Sequence, residues 1–162
     1  MTINNILNLV LKDGTVVIQL RPDWAPNHVN QIKKLTKAGF YDGLFFHRVI
    51  DGFMAQTGCP DGDGTGNCGY AVQAEFNETL HTRGICSMAR SAEPDSASSQ
   101  FFICLADSNF LDGQYTAWGE VIEGMEFVDN IKKGDAKFNG TVDDPDKIIS
   151  MTILEDTPIK IG

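Results

Sequence analysis

The sequence predicts an all-β domain, a sandwich or barrel of short antiparallel strands with two helices set among them. Three observations carry this reading. Short apolar segments recur along the chain, separated by runs rich in Gly, Asp, Ser and Asn. A period of two organises the first twenty residues as a hairpin. The strand and helix alternation that a parallel sheet requires is missing. At 162 residues the chain has the size of one domain, 1–162, and can bury a core without metals or disulfide staples.

Residues 3–11 place Ile3, Leu7, Leu9 and Leu11 on one face, and Val16, Ile18 and Leu20 continue the pattern. Between them Asp13-Gly14 fits a two-residue type I′ turn, because both residue types accept positive φ. Pro26 opens a segment with Val29, Ile32 and Leu35 at helical spacing, closed by Gly39, which predicts a helix over 26–38. Short strands follow at 45–49, 53–56, 85–88, 101–105, 116–121 and 147–154. A second helix fits 125–133, with Val128 and Ile131 inward, Lys132 and Lys133 in the last turn and Gly134 as the stop. Two long connections, 57–70 and 89–99, stand out as functional loops.

Lys and Arg total 13 against 22 Asp and Glu, a formal charge of -9 that repels a phosphate backbone, so no nucleic acid is expected as partner. No apolar stretch is long enough to span a bilayer, and residues 1–5 lack the basic start of a signal peptide; no membrane partner and a cytoplasmic location are expected. Cys59, Cys68, Cys86 and Cys104 form no C-x-x-C pair, which fits free thiols in a reducing compartment.

Metal and cofactor chemistry finds no support. Asp61-x-Asp63-x-Thr65-Gly66 begins like a calcium loop, but Val72 stands where the bidentate glutamate belongs. Gly62, Gly64, Gly66 and Gly69 lack the Lys-Ser or Lys-Thr of a phosphate cradle, and read as a flexible connector. His28, His47 and His81 form no i, i+4 metal pair, and no G-x-S-x-G elbow marks a nucleophilic serine.

The run FFHRVIDGFMAQ at 45–56, followed by GDGTG at 62–66, resembles the signature of the cyclophilins, the cyclosporin-binding peptidyl-prolyl isomerases. SMAR at 87–90, SQFFICL at 99–105 and FLDGQYTAWGEVIEGMEFVDNI at 110–131 continue the resemblance in the family's order. Its compact loops are similar to the minimal bacterial branch. What the resemblance implies is a closed eight-stranded antiparallel barrel capped by an α-helix at each end, acting as a monomer on proline-containing peptides and on unfolded or folding proteins.

The implied reaction is rotation about an X-Pro peptide bond, against an amide resonance barrier of roughly 18–20 kcal/mol, without a cofactor or covalent intermediate. By the resemblance, Arg48 is the catalytic residue, donating to the imide nitrogen as it pyramidalises. Phe53, Met54, Phe102 and Leu111 would hold the proline ring, with Gln56, Ala89 and the Arg90 backbone holding the substrate chain. Gln100 would orient Arg48 as an acceptor. Phe46 and Phe101, by alternation, belong to the core instead.

Three positions depart from the pattern of many eukaryotic members. Tyr115 stands for histidine, Phe110 for tryptophan and Arg90 for asparagine. The first two touch the expected pocket, so activity should survive while cyclosporin binding is weak. The Arg90 side chain is expected to be free to tune sequence preference. Two other functions compete: a proline-peptide binding module, which would not need Arg48, and a hollow ligand barrel of lipocalin type, which would carry a single terminal helix.

Overall fold

The computed structural model describes residues 5–154. Ile3, expected in the first strand, lies outside them. In chain order the elements are β1 (Ile6–Leu11), β2 (Gly14–Leu20), α1 (Pro26–Lys37), β3 (Arg48–Ile50), β4 (Met54–Thr57), β5 (Ile85–Met88), β6 (Phe101–Cys104), β7 (Ala117–Glu123), α2 (Met125–Asp129) and β8 (Ser150–Leu154). Two 3-10 turns, Asn109–Leu111 and Ala136–Phe138, were not foreseen in the sequence. The eight strands form one sheet in the order β3-β4-β6-β5-β7-β2-β1-β8, and every pairing is antiparallel. Isolated bridges join Phe45 to Lys147 and Arg48 to Thr141. No helix among the described residues is long and apolar enough to cross a membrane.

The hairpin forms, but with a different turn. Leu11 pairs with Gly14, so the central residues are Lys12 and Asp13. Neither has a positive φ, and Gly14 is extended at φ 159°, which excludes type I′. Packing explains the glycine instead: a Cβ there would lie 2.6 Å from the Phe127 ring.

Helix α1 closes as expected. Gly39 takes φ 74°, the Phe40 N–H returns to the Leu35 carbonyl at 3.0 Å and the Gly39 N–H to Thr36 at 3.1 Å, the paired bonds of a Schellman cap. Helix α2 stops four residues short of the predicted end. Asp146 Oδ2 accepts the Lys132 N–H at 2.8 Å and draws the backbone out of helical register. Lys133 still serves the helix end from outside, donating to the Asp129 carbonyl. Gly134 is needed for close approach, because a Cβ there would meet the Gly140 carbonyl oxygen at 2.1 Å.

Strand alternation divides the interior in two. On β6, Phe101 and Ile103 enter the main core with Leu7, Ile18, Ile32 and Trp118, while Phe102 and Cys104 enter a smaller cluster with Met54, Leu111 and Ala117. Phe46 joins the main core, as expected. Each fully buried large side chain contributes about 1.5–3 kcal/mol by burial, so the main cluster anchors the sheet. From the smaller cluster Met54, Phe102 and Leu111 also line a surface cleft.

Candidate active site

Sheet register assembles the site. Arg48 on β3 stands opposite Gln56 on β4, Gln56 opposite Phe102 on β6, and Phe102 opposite Ser87 on β5. Residues facing one another across antiparallel strands project to the same side, so this rung delivers a cation, an amide and an aromatic ring to one face. Residues from four strands thereby meet without any being neighbours in sequence.

The cleft above this rung has a volume of about 350 Å³. Its lining includes Arg48, Phe53, Met54, Gln56, Ala89, Arg90, Phe102, Phe110, Leu111 and Tyr115, every residue expected there except Gln100, and adds Gln114. Met54, Phe102 and Leu111 are buried and form its apolar wall. Phe102 meets Tyr115 edge to face at 5.8 Å. Phe110 stands at the rim, 66% exposed, its ring 5.3 Å from Phe53. Gln100 lies in an adjoining cleft of about 340 Å³ with Gly64, Gly66 and Ser98, which shares Gln56, Ala89 and Arg90 with the first.

Arg48 is held on two sides. Its Nε donates to the Asn139 carbonyl at 2.9 Å and Nη2 to Asn139 Oδ1 at 3.1 Å; Nη1 donates to Gln56 Oε1 at 3.0 Å. Gln100 does not touch it directly and reaches it through Gln56. Gln56 Nε2 donates to Gln100 Oε1 at 3.0 Å, and Gln100 Nε2 donates to the Gly64 and Gly66 carbonyls at 2.9 and 2.8 Å. Because carbonyls only accept, they fix the Gln100 amide, which fixes Gln56 and turns its oxygen to Arg48. A guanidinium has five N–H groups, so these three bonds leave two N–H groups over. Burial pushes the Arg48 pKa down, opposed by Tyr115, but from a starting value above about 12 the side chain stays cationic.

The glycine-rich loop supports this line. Cys59 Sγ accepts the Gly64 and Gly66 N–H groups at 3.3 and 3.2 Å, and Asp63 Oδ1 accepts from Thr65, so the loop turns its carbonyls to Gln100. Arg90 also departs from expectation. Its guanidinium is committed, donating from Nη2 to the Gln114 carbonyl at 2.7 Å and lying 4.7 Å over the Tyr115 ring. It braces the cleft wall rather than reaching for substrate. Its backbone N–H and C=O find no hydrogen-bond partner among the described residues. No group of three or more His, Cys, Asp or Glu among the described residues could hold a metal ion.

The family Cyclophilin type peptidyl-prolyl cis-trans isomerase/CLD matches residues 6–153. The chain belongs to the cyclophilin family. It is a peptidyl-prolyl cis-trans isomerase. A probable peptidyl-prolyl cis-trans isomerase of Brucella suis is 52% identical over 94% of this chain and 84% of its own length. Peptidyl-prolyl cis-trans isomerase B of Bacillus subtilis is 44% identical over 78% and 90%. Among solved structures, a cyclophilin from Hirschia baltica matches with TM-score 0.87 and 28% identity, covering 99% of this chain and 77% of its own. A Cryptosporidium parvum cyclophilin, crystallised in the presence of the dipeptide Ala-Pro, matches with TM-score 0.83 and 28% identity over 93% and 99%.

In this cyclophilin the sequence reading missed Asn139. Asn139-Gly140 is a turn signal, and Asn139 does take the left-handed region at φ 58°. Nothing local, however, announces that the turn holds an arginine 91 positions earlier.

Proposed function

We propose that this cyclophilin seats a proline ring against Met54, Phe102 and Leu111 and uses Arg48 to donate to the imide nitrogen as the X-Pro bond twists. The observation that carries this reading is the guanidinium braced from two sides beside an apolar wall, with N–H groups left over. Rotation removes amide resonance and returns a lone pair to nitrogen, so a donor placed there favours the twisted state over either planar one. Fixed partners on Arg48 mean that little reorganisation accompanies the reaction.

Magnitudes require more than one bond. A 10⁴-fold acceleration needs about 5.5 kcal/mol, and a charge-assisted hydrogen bond supplies roughly 1.5–3 kcal/mol net. The apolar wall supplies the remainder by holding the ring while the chain rotates and by excluding competing water. Gln56 and the open Arg90 backbone hold the substrate chain. Crystallisation of the Cryptosporidium relative in the presence of Ala-Pro supports proline-containing peptides as partners, and unfolded proteins present the same group. The four free cysteines support a reducing compartment such as the cytoplasm. The isolated bridges Phe45–Lys147 and Arg48–Thr141, with the Phe46 N–H on the Asp146 carbonyl at 2.8 Å, support closure of the sheet into a barrel through residues 141–147.

A protease-coupled assay on a short X-Pro peptide tests the assignment. The wild type should accelerate isomerisation and Arg48→Ala should lose most of that effect; equal rates would remove Arg48 from the mechanism.

A further inference from the structure

Beneath the proline cleft lies a hydrogen-bonded line that the mechanism does not use. Asp112 Oδ1 accepts the His81 backbone N–H at 2.6 Å and faces ring Nδ1 at 3.1 Å. On the far side of the ring, Nε2 lies 2.8 Å from Ser87 Oγ. His81 is 1% exposed and Ser87 fully buried. A carboxylate oxygen only accepts, so Nδ1 carries the proton, Nε2 is bare and the Ser87 hydroxyl donates to it.

This is the proton arrangement of a Ser-His-Asp hydrolase. Burial excludes that chemistry here, because no substrate carbonyl can reach a serine with zero exposure. The ends of the line indicate a different role. Asp112 closes the 3-10 turn that carries Phe110 and Leu111, its N–H returning to the Asn109 carbonyl at 3.1 Å. Ser87 stands opposite Phe102 in the sheet. The imidazole itself stacks on the Phe102 ring, with centroids 6.2 Å apart and planes 23° from parallel.

We propose that His81 is a positioning residue for the proline cleft: by bridging Asp112 and Ser87 it fixes the separation of Leu111 from Phe102, and with it the fit of the proline ring. This inference rests on the cleft assignment made above. Among the described residues, Asp112 is the charged group in contact with the ring, and the Cys104 thiol on β6 lies in the field of the same carboxylate. Burial pushes the His81 pKa down, against Asp112, and keeps the ring neutral at neutral pH. The bridge therefore consists of one donor and one acceptor rather than two donors.

His81→Phe keeps an aromatic ring against Phe102 and deletes both bonds. The proline ring is held in ground and transition state alike, so loosening the cleft raises KM and spares kcat. The expected result is a KM for an X-Pro peptide at least fivefold higher with kcat within twofold, the same direction for the milder Ser87→Ala, and no further loss in the double variant. Nitrogen-15 NMR of the wild-type ring should show the Nδ1–H tautomer. A lowered melting temperature with unchanged KM in both single variants, or an Nε2–H tautomer, overturns the proposal. Phe102→Ala separates the two readings: if it raises KM while His81→Phe does not, only the role of His81 fails, and if neither does, the cleft assignment fails.

Discussion

Arg48 and Gln100 never touch, yet the Gln56 amide joins them, accepting from one at 3.0 Å and donating to the other at 3.0 Å. The orientation of the Arg48 guanidinium is thus tied to loop carbonyls at Gly64 and Gly66, two amides away. Gln100 reaches Arg48 only through Gln56, so on the proposed mechanism any effect it has on the reaction passes through that amide.

Gln100→Leu should therefore lower kcat several-fold, roughly 0.7–1 kcal/mol on the barrier. Adding Gln56→Leu should cost less than the sum of the two single changes, because both break one line. Steady-state kinetics of the three variants check this; strict additivity would mean that the line does not act as a unit.

Arg48→Ala should reduce kcat/KM at least tenfold, about 1.4 kcal/mol or more, with the melting temperature nearly unchanged. Arg48→Lys should be almost as poor, because an ammonium cannot reach Asn139 and Gln56 together while keeping donors for substrate. Calorimetry beside the isomerase assay separates loss of chemistry from loss of fold.

The isomerase rate should stay nearly flat between about pH 6 and 9, since Arg does not titrate there and no general acid or base takes part. Stability should behave differently. Burial pushes His28, His47 and His81 below their ordinary value of 6.5. In the window between those lowered values and 6.5 the unfolded chain binds more protons than the folded one, so stability falls as pH drops through it and is fully present above it. Thermal melts from pH 7.5 down to about 5 should show a falling Tm that begins near 6.5, well above the carboxylate range. A Tm constant over that interval would contradict the burial of the histidines.

Phe110→Trp should tighten cyclosporin binding up to about tenfold, because an indole N–H adds a neutral bond of roughly 0.5–1.5 kcal/mol at the rim. Turnover of a short peptide should change by less than about threefold, ~0.65 kcal/mol. Calorimetric titration of both proteins with the drug decides it, equal dissociation constants placing residue 110 away from the ligand.

Much of this was legible in the sequence. Period-two patterns located the strands and the aromatics of β6, and the signature segments supplied the cleft residues, because both lie in contiguous stretches. What escaped has one cause. Asn139 acting on Arg48, Asp146 ending α2 and Phe127 requiring Gly14 are contacts made across the fold, which no local pattern announces. Arg90 was misjudged for the same reason, since its commitment to Gln114 and Tyr115 spans the width of the cleft.

The anchoring of Arg48 by Asn139 also bears on synthesis. The guanidinium leaves the ribosome 91 residues before its anchor, and the anchor sits in a turn packed closely on β3, where a Cβ at Gly140 would strike Ile50 at 2.5 Å. A nascent chain that has displayed every residue of the cleft but not residue 139 lacks two of the three bonds that aim its cation. On the role proposed for Arg48, a chain stalled or truncated before residue 139 should therefore carry the pocket residues with a poorly aimed cation and show little isomerase activity.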